Sequence, residues 1–240
     1  MSIQHRLVAY RHGDVELEGR LSWDDAIEGP RPGVLVSHAW GGRGALEEDK
    51  AERLAKQGYA AFALDLYGRG VRGSNPEQNA ALMQPLLDDR VLLQERMSCS
   101  LQTLRDQPEV AATRVAAIGF CFGGLCVLDL ARSGADLAGV VSFHGLLMPP
   151  DNTGGNAVST SVLVLHGWDD PMARPESVTA LAAELSAMGA DWQVHAYGNT
   201  RHAFSNPAAN DPVRGTVYDP VADRRSWTAM TNFLEDLFGD

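Results

Sequence analysis

Residues 114–124 read Arg114-Val115-Ala116-Ala117-Ile118-Gly119-Phe120-Cys121-Phe122-Gly123-Gly124 (RVAAIGFCFGG), and the fold turns on them. Residues 114–119 have the length and apolar character of a buried strand. Phe120-Cys121-Phe122 forms a sharp turn between glycines, and residues 123–132 continue as a helix closed by Ser133-Gly134. This order places Cys121 at the carboxyl end of a strand and at the positive end of a helix, where a thiolate, the reactive form of cysteine, is favoured. Gly119-Phe120-Cys121-Phe122-Gly123 fits the nucleophile-elbow pattern G-x-S-x-G with cysteine in place of serine, in the strand–turn–helix context that pattern requires. The plain alternative is a small apolar residue buried in a turn.

Outward from this unit, short β-rich runs alternate with amphipathic helical stretches. That alternation predicts an α/β fold, a mostly parallel sheet with helices on both faces. Residues 7–10 and 15–21 are predicted as an antiparallel pair at the sheet edge, because only His12-Gly13-Asp14 separates them. Residues 33–37 form a buried strand leading into the glycine-rich His38-Ala39-Trp40-Gly41-Gly42. A helix over 46–57 ends at Gly58, and a strand follows over 60–64. Residues 65–76 are loop, and 77–105 read as one or two helices with Leu86, Leu93, Met97 and Leu101 on the apolar side. Strands at 137–143, 161–166 and 193–197, and helices at 175–188 and 222–238, complete the expected order. The loop-rich 149–160 is a surface excursion, too short for an interdomain linker.

The bulk numbers narrow the function. With 240 residues, 45% hydrophobic and 21% charged, one domain over residues 1–240 is expected. A formal charge of −11, with 20 Lys+Arg that never cluster, argues against nucleic-acid binding. Neither a signal-like segment in the first thirty residues nor a membrane-length apolar run is present, so no membrane association and a cytoplasmic location are expected. The cysteines, Cys99, Cys121 and Cys126, are odd in number and lack metal spacing. Reduced thiols are expected, with Cys99 and Cys126 packing on helices.

Two further loops complete a constellation. His166-Gly167-Trp168-Asp169-Asp170-Pro171 follows a strand, and G-x-x-D spacing from Gly167 selects Asp170 as an acid, leaving Asp169 to bond the loop. Arg201-His202-Ala203-Phe204 follows the last strand. The chain order nucleophile, acid, histidine, at three strand ends, is that of α/β-hydrolases. His202 is then the base, and Asp170 fixes its tautomer. An oxyanion hole needs the N–H of Phe122, the residue after the nucleophile, and one from residues 38–42, Trp40 or Ala39. His38, His144 and His166 each end a strand and are expected to be structural. Trp40, Phe122, Trp168 and Phe204 are expected to line an apolar mouth that suits aryl or alkyl esters.

These residues resemble the dienelactone hydrolase (carboxymethylenebutenolidase) family over nearly the whole chain. The resemblance rests on the G-x-C-x-G-G elbow, the G-x-x-D loop and the histidine followed by a small residue and Phe. Asp65-Leu66-Tyr67-Gly68-Arg69, similar to the family's DLY-x-R segment, and Arg225-Ser226-Trp227 add to it. It implies hydrolysis of a small ester or lactone through a thioester, with no metal and no organic cofactor; a small-molecule ester or lactone as the partner, and a monomer or small homo-oligomer, are expected. Arg69 matches a family arginine that binds the substrate carboxylate; a solvated loop arginine is the alternative. The chain departs from the family at two places. Ala39 stands where the family has a glutamate linked to cysteine ionisation, and the uncharged Ser205-Asn206 falls where a second carboxylate-binding arginine is expected. A general carboxylesterase or thioesterase, or a non-catalytic redox or covalent-capture protein using Cys121, are the competing readings.

Overall fold

The computed structural model describes residues 2–239; the single domain expected over 1–240 thus includes two positions, Met1 and Asp240, outside the described residues. The chain divides into two compact units between Ile118 and Gly119.

In the first unit, β1 (Ile3–His12) and β2 (Val15–Asp24) pair antiparallel through every residue, from Ile3↔Asp24 to His12↔Val15, as expected. Alternate residues of β1 are exposed, which is how a strand with one covered face reads. β2 pairs antiparallel with β4 (Ala60–Ala63), and β4 runs parallel to β3 (Arg31–Ser37). Residues 33–37 and 60–63 are buried without alternation, because both faces of these strands are covered. The helices are α1 (Ala45–Ala55), α2 (Pro76–Asp88) and α3 (Arg90–Arg105). Asp89 divides the 77–105 stretch into two, and its side chain caps α3 by accepting the Leu92 N–H at 2.9 Å. The expected stripe of Leu86, Leu93, Met97 and Leu101 is buried. β5 (Val110–Phe120) begins in this unit, four residues earlier than the apolar run suggests, and ends at the elbow.

The second unit holds α4 (Phe122–Arg132), β6 (Gly139–Phe143), β7 (Ser161–Gly167), α5 (Pro175–Ala187), β8 (Trp192–Tyr197) and α6 (Pro220–Phe238). β6, β7 and β8 are parallel, paired from Gly139↔Ser161 and from Val162↔Trp192. Every residue of α4 is buried, including Arg132 at its end. That guanidinium is matched by Glu184 at 2.7 and 2.8 Å, by Asp129 at 3.3 Å and by the Leu147 carbonyl at 3.0 Å, which is what lets a cation sit with no water. A two-stranded ribbon, β9 (Asn210–Asp211) with β10 (Thr216–Val217), was not expected; strands of two residues carry no periodicity to read.

The principal sheet has eight strands in the order β1-β2-β4-β3-β5-β6-β7-β8, mostly parallel. The α/β class inferred from the sequence is the class observed. Among the described residues, no helix is long and apolar enough to cross a membrane.

Candidate active site

Cys121 is the N-cap of α4, with φ 56° and ψ −116°. A left-handed φ at a non-glycine residue stores strain, and here it turns a strand into a helix within one residue. Two glycines make the turn possible by close approach. A Cβ on Gly119 would lie 2.0 Å from the Gly123 carbonyl oxygen, and one on Gly124 would lie 2.7 Å from Gly145 Cα. Cys121 N–H donates to the Phe143 carbonyl at 3.0 Å and the Cys121 carbonyl accepts from Gly124 N–H at 3.0 Å, so the apex is pinned on both sides. Phe122, the first residue of α4, brings its N–H into the helix's first turn, where N–H groups lack acceptors within the helix. The Cys121 side chain itself is half-buried.

Asp170 and His202 are buried together, with His202 Nδ1 2.7 Å from Asp170 Oδ2. The other carboxylate oxygen of Asp170 accepts the N–H groups of Met172 and Ala173 at 2.8 and 3.3 Å. One oxygen therefore holds the loop and the other holds the imidazole. With Nδ1 bonded to a carboxylate, a neutral ring carries its proton there and leaves Nε2 as the acceptor. Nε2 has no nitrogen or oxygen partner among the described residues. Burial pulls the His202 pKa down, but the charge of Cys121 and the hydrogen bonds with Asp170 and Cys121 outweigh it, raising the pKa to about 10. Cys121 and Asp170 thus both favour the charged form of the His202 ring.

Asp169, the competing carboxylate, is exposed and engages the loop through its own N–H, which donates to the Thr200 carbonyl at 3.0 Å. Asp169 and Arg201, the chain neighbours of Asp170 and His202, line a separate 580 Å³ cleft with Asn199, Pro171 and residues 212–215. Neither Cys121 nor His202 lines that cleft.

The remaining sequence-derived residues fall in three groups. Trp168 is 42% exposed, available to a ligand. Phe122 and Phe204 are fully buried, a correction to their expected place at an apolar mouth. Phe204 instead packs edge-on against His144, at 5.0 Å, and Tyr197, at 5.6 Å, supporting the histidine loop from beneath. In the first unit, Trp40 uses its carbonyl to accept the Tyr67 hydroxyl at 3.0 Å. Arg69 is 58% exposed and paired with Glu18 at 3.1 Å. Ala39 N–H donates to the buried Glu47 at 3.1 Å, and Glu47 also accepts Gly44 N–H at 2.9 Å. A carboxylate therefore does reach the Ala39 position, from α1, through the backbone.

His38 Nε2 accepts the Leu66 N–H at 3.2 Å and its Nδ1 lies 2.7 Å from the Ala39 carbonyl, a structural role as expected. Burial lowers its pKa. His166 is fully buried, and neither of its ring nitrogens has a partner among the described residues. Burial lowers its pKa, Asp170 raises it and His202 lowers it, so it stays neutral beside the pair. Cys99 and Cys126 lie on α3 and α4; the Cys99 thiol donates to the Arg11 carbonyl at 3.2 Å, and burial raises its pKa. Sequence reasoning missed the depth of Arg132 and of Glu47, since a lone charged residue in a helix carries no sign of burial.

Residues 17–238 match the dienelactone hydrolase family. The chain is similar to the crystal structure of a dienelactone hydrolase-like promiscuous phosphotriesterase from metagenomic libraries, with a TM-score of 0.95 and 39% identity, each chain covered completely. It is 27% identical to a "Probable 2-oxo-3-(5-oxofuran-2-ylidene)propanoate lactonase" of Bradyrhizobium sp, over 90% of this chain and 89% of that one. The dienelactone hydrolase of Anabaena variabilis shares its fold, with a TM-score of 0.67 and 22% identity over 96% of this chain and 99% of that one. With a family match that spans nearly all of the sequence and a fold that agrees, this chain belongs to the dienelactone hydrolase family and is a hydrolase of the α/β-hydrolase fold.

Proposed function

We propose that the chain hydrolyses a small ester or lactone with Cys121 as nucleophile, His202 as acid–base and Asp170 as the group that orients His202. The observation that carries this reading is the buried Asp170–His202 pair, 2.7 Å apart, whose imidazolium form is favoured by Cys121, a strained residue at a helix N-terminus. The Cys121 thiolate attacks the carbonyl carbon, and the carbonyl π electrons move to oxygen. Phe122 N–H stabilises that oxyanion, and the sequence pattern assigns the second donor to Trp40. Collapse forms the thioester and expels the alkoxide or phenoxide, which takes the proton from His202 Nε2. Water then gives a proton to Nε2 and attacks the thioester. Expulsion of the thiolate releases the acid product and restores the resting site. No step needs a metal or an organic cofactor.

The substrate side favours a neutral aryl or alkyl ester or lactone over a dianion. Ser205 spends its hydroxyl on His144 at 2.8 Å, and Asn206 Oδ1 accepts Ala208 N–H at 3.0 Å, so neither supplies a cation. Arg69, already opposite Glu18, is the remaining candidate for a carboxylate contact. Because a similar protein is described as a promiscuous phosphotriesterase, aryl phosphotriesters belong in the same substrate panel. The test is a panel of neutral esters, anionic esters, lactones and phosphotriesters with the native chain and Cys121→Ala. Turnover of a neutral ester or lactone, abolished in Cys121→Ala, is expected; equal turnover by the variant would end this reading.

A further inference from the structure

Among the described residues, four non-glycine positions have a left-handed φ: Cys121 at 56°, His144 at 38°, Asn199 at 57° and Ala203 at 58°. Cys121 is the proposed nucleophile, and Asn199 and Ala203 lie on the loop that carries His202. His144 is in neither of these loops, yet it bears the same kind of strain, which persists where surrounding structure enforces it and concentrates at functional sites. It stands directly after β6. Its preceding carbonyl, Phe143, accepts the Cys121 N–H at 3.0 Å, and its own N–H donates to Leu165 at 2.8 Å. The turned backbone sends the ring beneath the base.

That ring lies 5.2 Å from the His202 ring at 66°, edge to face. It is also packed against Phe204 at 5.0 Å and Phe120 at 6.2 Å, the residue before the nucleophile. Nε2 of His144 and Oγ of Ser205 are hydrogen-bonded at 2.8 Å, with both residues buried. Asp170 fixes His202 at one atom, about which the ring retains a torsional freedom. A second, clamped ring set edge-to-face with it restricts that freedom.

We propose that His144, clamped by Ser205, is a positioning residue that sets the orientation of His202 toward Cys121. This rests on the proposed roles of Cys121 and His202. It acts through the imidazole and not on substrate, so it affects kcat with little effect on KM. An apolar packing role alone would need the ring's shape and not its hydrogen bond.

The test compares Ser205→Ala, Ser205→Thr and His144→Phe with the native chain. Ser205→Ala removes one hydroxyl and carries the decision; His144→Phe keeps the ring but is the variant at greater risk of misfolding. For Ser205→Ala we expect kcat for an aryl ester to fall about tenfold with KM within about twofold, the size of one lost positioning hydrogen bond. Ser205→Thr, which keeps the hydroxyl, should recover most of the loss. The second readout is the low-field proton resonance of His202 Nδ1–H, recorded in a Cys121→Ala background where turnover is irrelevant. It should broaden or shift in Ser205→Ala. Unchanged kcat together with an unchanged resonance would overturn the positioning role. If Cys121→Ala itself retained turnover, the nucleophile assignment would fall, and the resonance would still decide whether Ser205 and His144 orient His202.

Discussion

Replacing Asp170 by Asn tests the electrostatics of the site with almost no change in volume. In the native chain, Oδ1 holds the Met172 and Ala173 N–H groups and Oδ2 holds His202 Nδ1 at 2.7 Å. An Asn can keep its oxygen on the loop N–H groups, but its NH2 then points at the Nδ1 proton. The ring must either lose that hydrogen bond or move its proton to Nε2, where it can no longer accept from the thiol. Raising an imidazole from 6.5 to about 10 favours its charged form by about 5 kcal/mol, against the cost of burial. Cys121 and Asp170 supply that together. Assigning Asp170 its charge-assisted hydrogen bond and the tautomer gives about 3 to 4 kcal/mol, a hundred- to thousandfold loss in kcat. Stopped-flow release of p-nitrophenolate, with KM fitted separately, measures it. A kcat within threefold of native would refute the role of Asp170 as the orienting group.

The same pair has a stability signature. A histidine whose folded pKa is raised from 6.5 to about 10 binds more protons folded than unfolded between those values. Its contribution is therefore fully present below about 6.5 and is lost as pH rises through about 10. Urea unfolding of the native chain minus Asp170→Asn should show a difference that shrinks from pH 6 to pH 10; a difference that grows would mean the opposite sign. Gly119→Ala should lower stability by about 3 kcal/mol or more, because the clash at 2.0 Å is with backbone that cannot rotate away, and thermal unfolding reports it. Arg132→Met should cost about 3–5 kcal/mol in urea titration, since Asp129 and Glu184 lose the cation that neutralises them. Arg69→Ala should change stability by under about 1 kcal/mol, since Arg69 is mostly exposed and its partner Glu18 keeps Arg43 at 3.3 Å. A rise in KM confined to anionic esters would assign it to substrate.

The elbow was legible because its chemistry and its backbone demand coincide. Gly119 and Gly124 are required by contacts of 2.0 and 2.7 Å, and glycines at those spacings around a cysteine leave few other readings. β3, β4, β6 and β7 were legible as unbroken apolar runs, since strands covered on both faces have no polar side to show. Phe204 was misplaced because an aromatic two residues beyond a loop histidine reads alike at a mouth or under it; only the packing against His144 and Tyr197 decides. His144 was expected to be structural, and nothing in Phe143-His144-Gly145 announces a φ of 38° or a serine 61 residues away. The acid was selected by spacing from two adjacent aspartates, and the selected one, Asp170, is the one that meets His202.

In the proposed reaction Cys121 carries the acyl group. Mixing the protein with an activated aryl acetate, quenching in acid within the first turnover and mapping the adduct by peptide mass spectrometry tests it most directly. One acetyl group is expected on the peptide containing Cys121, removed by hydroxylamine, and longer-lived in Asp170→Asn. An ester turned over with no adduct on Cys121, or with the acetyl group on another residue, would contradict it.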